Sequence, residues 1–234
     1  MNQRLDHVIE RVRSAADSAG VATPQIMLAV KTQTVDTCRL AAQMLSDHGM
    51  PVLLGHNHVQ EAQASVAAIR QVPDAQIHLI GPLQTNKINH ALACCDVIET
   101  LDSVKGAQAI DKRVRSTTPV PVMVEVNTSG ETSKHGCTPE EAQAVVEAVE
   151  LSDNLALAGF MTVGLNSEDE KAVRASYAQL RDIRDLVAAR LCVPELDLAL
   201  SMGMTHDLEW ATREGATMVR VGTAVFGQRT THSA

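Results

Sequence analysis

Aromatic side chains are nearly missing from this chain: one Trp, one Tyr and two Phe make up 2% of its 234 residues. Its core must therefore be filled by Ala, Val, Leu, Ile and Met, and stacking of exposed bases on aromatic rings has almost no platform. Basic residues are also in deficit, with 20 Lys and Arg against 28 Asp and Glu for a net charge of -8, and no stretch gathers them on one face. A nucleic-acid partner is excluded on both grounds, because a polyanion would be repelled. No apolar run reaches the roughly 20 residues of a membrane span, and no signal peptide precedes the first helix. The five cysteines, Cys38, Cys94, Cys95, Cys137 and Cys192, are odd in number and lack the paired spacing of a zinc site, so a reducing cytoplasm is expected. Adjacent Cys94 and Cys95 bond poorly as neighbours and read as buried thiols at an Ala-rich helix end.

What is present is regular. Leu5, Val8, Ile9 and Val12 recur at helical spacing, which predicts an amphipathic helix over Asn2–Ala19. After it, strand-like apolar runs recur at 26–30, 51–54, 76–80, 97–101, 120–126, 155–163, 196–200 and 217–221. About eight such runs suit a closed barrel. The intervening stretches have helical composition and capping signals, as in Thr138-Pro139-Glu140-Glu141 and Ser167-Glu168-Asp169-Glu170. Alternating strands and helices imply parallel strands with right-handed crossovers. A Gly-x-Gly-x-x-Gly fingerprint is missing after the first run, which favours a (β/α)8 barrel of TIM type, with an extra N-terminal helix, over an open doubly wound sheet. No linker or composition break divides the chain, so 1–234 is read as one domain.

In such a barrel the functional face lies at the carboxyl ends of the strands. Lys31, Gly55-His56-Asn57, Gly81-Pro82, Asn127-Thr128-Ser129-Gly130, Met161, Ser201-Met202-Gly203 and Gly222-Thr223 all fall at or near those ends and should converge on one mouth. Lys31 follows an apolar strand, where desolvation favours the neutral amine that attacks aldehydes; the plain alternative is a lysine reaching for water or a carboxylate. Gly222 and Thr223, with Ser201, have the chemistry of a phosphate cradle after strands seven and eight. Arg220 alternates with Val219 and Val221, and a buried guanidinium demands an acceptor. A phosphate, an aldehyde and a ring nitrogen in need of a partner together describe pyridoxal 5'-phosphate. A Schiff-base aldolase acting on phosphosugars would use the same lysine and phosphate site but leaves Arg220 unexplained.

The stretches Leu28-Ala29-Val30-Lys31-Thr32, Gly55-His56-Asn57-His58-Val59-Gln60-Glu61, His78 to Lys87, Leu200 to Asp207 and Val219 to Gly227 closely resemble the pyridoxal phosphate homeostasis proteins, in family order through nearly the whole chain. That family is similar to the barrel domain of alanine racemase. The resemblance implies a Schiff base on Lys31, Arg220 at the pyridine nitrogen, Ser201, Gly222 and Thr223 at the phosphate, and Asn57 beside the ring or its phenolic oxygen. Asn57, with Gln60 three residues on, also fits a helix cap. Two departures stand out: His56 where the family usually has glutamate, expected to alter charge near the mouth, and Val30 where it commonly has a hydroxyl residue. His58 is expected in solvent and His78 in the core. The polar segment 127–137 reads as a solvated connection, with a mobile lid as the alternative, and Lys87 and Lys134 as transient anion contacts.

An arginine at the pyridine nitrogen weakens the ring as an electron sink, and alanine racemase compensates with a second base, a tyrosine from another domain. Here the lone tyrosine, Tyr177, falls in a predicted helix after strand six. The expectation is a non-catalytic binder of pyridoxal phosphate, a monomer, with apo forms of enzymes that use the cofactor as recipients. An amino-acid racemase is the alternative.

Overall fold

Each apolar run pairs with the next through parallel backbone hydrogen bonds until the last meets the first. The computed structural model describes residues 1–227. Its strands are β1 (Gln25–Ala29), β2 (Leu53–His56), β3 (Gln76–Leu79), β4 (Val97–Leu101), β5 (Val120–Glu125), β6 (Leu155–Met161), β7 (Ala199–Ser201) and β8 (Met218–Val221). The helices are α1 (Asn2–Ala19), α2 (Val35–Asp47), α3 (Val59–Ile69), α4 (Ile88–Cys94), α5 (Val104–Asp111), α6 (Ala142–Glu150), α7 (Glu170–Leu191), α8 (Leu208–Arg213) and α9 (Thr223–Phe226). The strands close into the expected eight-stranded parallel barrel in sequence order, with Leu28 of β1 opposite both Leu54 of β2 and Val221 of β8.

Alternation sorts the side chains into two cores. Leu28, Leu54, Ile77, Ile98 and Val124 face outward and pack beneath the helices. Met27, Leu53, Val97, Met123, Met161 and Met218 face inward and fill the barrel axis. With so few rings available, the flexible thioethers take up the irregular interior space. Helix α1 buries Leu5, Val8 and Val12 completely and lies on α8 and α9, where Arg11 Nε meets Glu209 at 2.6 Å. Among the described residues no helix is long and apolar enough to cross a membrane.

Most strand ends shift from the sequence pattern by one to three residues, and three local differences have a visible cause or consequence. β7 begins at Ala199 rather than 196, because 195–197 form a 3-10 turn whose carbonyls turn aside: Arg184 Nη1 donates to the oxygens of Glu195 and Leu198, and Leu196 is left 77% exposed. β2 runs on to His56, so that residue sits in the strand. Ser167 does not cap α7; Asp169 accepts from the amides of Lys171 and Ala172, and the Ser167 hydroxyl accepts the Asp169 N–H instead. The Thr138–Glu141 box does form, with reciprocal bonds of 2.9 and 3.3 Å just ahead of α6. The reading of 1–234 as one domain includes 228–234, which lie outside the described residues.

Candidate functional site at the barrel mouth

The ladder continues one residue past β1, where the Val30 N–H meets the Gly55 carbonyl at 3.0 Å. A turn comes next, closed by Gln33 N–H to the Val30 carbonyl at 3.1 Å, with half-buried Lys31 at its second position. Thr32 takes the third position at φ 63, a place that a type II turn usually gives to glycine. Its amide donates to Glu61 Oε1 of α3 at 3.3 Å. Glu61 Oε2 is buried with no hydrogen-bond partner.

Across the closing seam, β8 delivers the other half of the site. Arg220 has the same inward parity as Met218 and is 5% exposed. Its Nη1 donates to the Ser201 carbonyl at 2.6 Å and to the Ser201 hydroxyl at 2.8 Å, while Nη2 donates to the Thr162 carbonyl at 2.7 Å. Two residues on, Gly222 faces the end of β1 so closely that an added Cβ would lie 3.2 Å from the Ala29 carbonyl oxygen. Thr223 then opens α9, whose first amides, like those of any helix, have no partner within it. Lys31, Gly222 and Thr223 thus end neighbouring strands, and Arg220 lies deeper along the axis.

Ser201 and His78 are both inward-facing and meet a residue absent from the expected site, Glu99 of β4. Its carboxylate is fully buried, with Oε1 2.6 Å from His78 Nδ1 and Oε2 accepting from the Ser201 hydroxyl at 2.6 Å. His78 therefore lies in the barrel interior rather than the outer core, and its Nε2 has no partner. Burial by itself favours the neutral acid, but the His78 bond and the charges of His78 and Arg220 hold Glu99 below its ordinary value. Glu125, at the inward end of β5, behaves in the opposite way: burial pushes it up to about 7, against the pull of Arg220 and with the repulsion of Asp102 and Glu99. Sequence reasoning missed Glu99 and Glu125, although a charged residue inside an apolar strand run was a usable signal, as it was for Arg220.

Several expectations change. His56 points out of the barrel, 1% exposed, with Nε2 3.2 Å from the Ser65 hydroxyl of α3, and burial lowers it to about 4. It adds no charge to the mouth near neutral pH. Asn57 does not cap α3; that position belongs to exposed His58, which makes no side-chain cap bond. Tyr177 is completely buried on α7, where its hydroxyl donates to Asp207 Oδ2 at 2.8 Å and burial raises it above its ordinary value. Lys134 is engaged rather than waiting for anions: Nζ donates to Glu131 at 2.8 Å and to the Gly164 carbonyl at 2.6 Å, tying 127–137 to the connection after β6. Cys94 and Cys95 are free thiols with sulfurs 3.7 Å apart.

Comparison with known proteins adds a second line. The family of the alanine racemase N-terminal domain matches residues 3–230. A pyridoxal phosphate homeostasis protein of Pseudomonas aeruginosa is 36% identical over 97% of this chain and 95% of its own. The structure of PipY from Synechococcus elongatus with pyridoxal phosphate bound superposes with a TM-score of 0.76 at 28% identity, over 94% of this chain and all of that one. An alanine racemase of Clostridium difficile shares the fold at a TM-score of 0.67 and 18% identity, over 96% of this chain but 58% of the racemase.

Proposed function

The chain belongs to the alanine racemase N-terminal domain family, alongside the full-length pyridoxal phosphate homeostasis proteins, and from that premise we propose that it binds pyridoxal 5'-phosphate at the barrel mouth and helps regulate the cofactor's supply without catalysing a reaction. When bound, the cofactor supplies an aldehyde that a neutral lysine amine captures as a Schiff base. The observation that carries the reading is the order of side chains around the mouth. On the cofactor's ring the aldehyde and phosphate arms are neighbours and the nitrogen lies opposite the aldehyde. Lys31 and the Gly222-Thr223 pair end strands that are themselves neighbours, about 4.8 Å apart, and Arg220 sits two residues deeper on β8.

Each residue then has one task. Lys31 holds the aldehyde carbon, and Gly222 and Thr223 offer amides and a hydroxyl to the phosphate. Asn57, at the end of β2 and without a capping duty, is placed beside the ring. Arg220 has five N–H donors, of which three are directed at Ser201 and Thr162, leaving Nε and one Nη2 hydrogen for a ring nitrogen. Ser201 groups with Arg220 rather than with the phosphate, since its single hydroxyl proton goes to Glu99. A racemase needs a second base above the ring, and the Tyr177 hydroxyl is committed to Asp207. Five free thiols suit a reducing cytoplasm, and a single-domain monomer that passes the cofactor to apo enzymes is the simplest working unit.

The test is Lys31→Ala. The variant should lose both the visible absorbance of the loaded protein and the adduct trapped by borohydride, which in the unmodified chain should map to Lys31; retention of both removes the Lys31 assignment. Deuterium exchange at an amino-acid α-carbon, dependent on Lys31, would replace the carrier with the racemase.

A further inference from the structure

The barrel interior holds a polar chain that the binding of a lysine-linked cofactor does not by itself require. It runs from His78 of β3 through Glu99 of β4 and Ser201 of β7 to Arg220 of β8 and the Thr162 carbonyl beyond β6, with bonds of 2.6, 2.6, 2.8 and 2.7 Å. We propose that Glu99 is the positioning residue of Arg220: through the Ser201 hydroxyl it fixes the guanidinium and offsets its charge, and so sets the electrostatic field that the pyridine nitrogen meets. The inference rests on the pyridoxal phosphate reading of the mouth.

Three features carry it. Glu99 is 0% exposed, and an isolated carboxylate in that setting would be neutralised by protonation or selected against unless its charge served a partner. Its two oxygens are divided between one donor on each side, so it is not a pair with His78 alone. Ser201 is a bridge in the strict sense, because its one proton goes to Glu99 while its oxygen accepts Arg220 Nη1, and its backbone carbonyl accepts the same nitrogen. A guanidinium clamped by three oxygens cannot swing toward the phosphate. Its charge also reaches two other titratable groups, Glu125 and the Tyr177 hydroxyl.

The experiment is a pH titration of the visible absorbance of the loaded protein, wild type against Glu99→Gln. The amide keeps the shape and removes the negative charge, so a cationic form at the lysine nitrogen is disfavoured and the titration midpoint should fall by about one pH unit. A residue that merely fills space would change thermal stability and leave that midpoint in place. A second variant guards against misfolding of the first. Ser201→Ala should weaken pyridoxal 5'-phosphate and pyridoxal, which lacks the phosphate, by the same factor, whereas Thr223→Ala should weaken only the phosphorylated form. A midpoint unmoved in folded Glu99→Gln overturns the proposal, and so does a Ser201→Ala loss confined to the phosphorylated ligand. Absence of a borohydride adduct on Lys31 in the wild type would overturn the parent reading as well, which separates the two failures.

Discussion

Thr32 adopts φ 63 although it is β-branched, a conformation that costs on the order of 1–3 kcal/mol and persists only when its surroundings impose it. The hydrogen bond from its amide to Glu61 Oε1 supports it, within the turn that also carries Lys31. Replacing Glu61 with Ala should therefore loosen the turn and raise the dissociation constant for pyridoxal phosphate about tenfold, roughly 1.4 kcal/mol. Glu61→Gln keeps an acceptor oxygen and should bind normally. Adding Thr32→Gly to Glu61→Ala should restore most of the loss, because glycine takes the left-handed conformation without help. Equilibrium dialysis of the four proteins decides it, and an Ala variant that binds like the wild type would sink the idea. At this scale the sequence told half the story. The positions of Lys31, Arg220, Gly222 and Thr223 on or just past the neighbouring strands β1 and β8 were legible because strand ends in a barrel face one mouth. Ser201 was legible as a strand end, but its bond to Glu99 was not, since nothing in one-dimensional spacing says that β4 and β7 meet across an interior. His56 was misread for a simpler reason: extending β2 by two residues put it in the strand, where alternation turns it toward α3.

The elements around the site differ in how they are held. β1 and β8 support it by pairing, whereas α8 and α9 depend on a helix from the other end of the chain. Leu5 of α1 is fully buried against that layer, and the bidentate contact of Arg11 with Glu209 fastens α1 to α8. Leu5→Ala should cost about 2–5 kcal/mol, the usual range for emptying such a position. The loss should be read from denaturant midpoints, and the affinity for pyridoxal phosphate should fall in parallel because Gly222 and Thr223 lie at the start of α9. An unchanged midpoint would mean that α1 is an ornament. The amphipathic pattern of α1 and the order of all eight strands were readable from periodicity. The late start of β7 was not, because Arg184, fourteen residues before Leu198, takes the carbonyl that a longer strand would need.

For the molecule as a whole, two buried titrating groups act in opposite directions on stability. Glu125 is raised from 4.5 to about 7 chiefly by burial, so its contribution is complete below pH 4.5 and is lost as pH rises through about 7. His56 is lowered from 6.5 to about 4 by burial, so its contribution is complete above pH 6.5 and is lost as pH falls toward about 4. Each gap is about 2.5 pH units, an upper bound of roughly 3 kcal/mol. Urea midpoints measured from pH 4 to 8 without cofactor should therefore vary little between about 4.5 and 6.5, where the two slopes oppose each other. Glu125→Gln should leave a profile that rises with pH over that window, and His56→Gln one that falls; parallel profiles for both variants and the wild type would show that neither group titrates as its burial implies. The seam between β1 and β8 has one more consequence. Lys31 and Arg220 are almost two hundred residues apart in the chain, so on the proposed assignment the amine is synthesised long before the other half of its socket. A product truncated before β8 would lack Arg220, Gly222 and Thr223, and is expected to bind pyridoxal phosphate far more weakly than the whole chain.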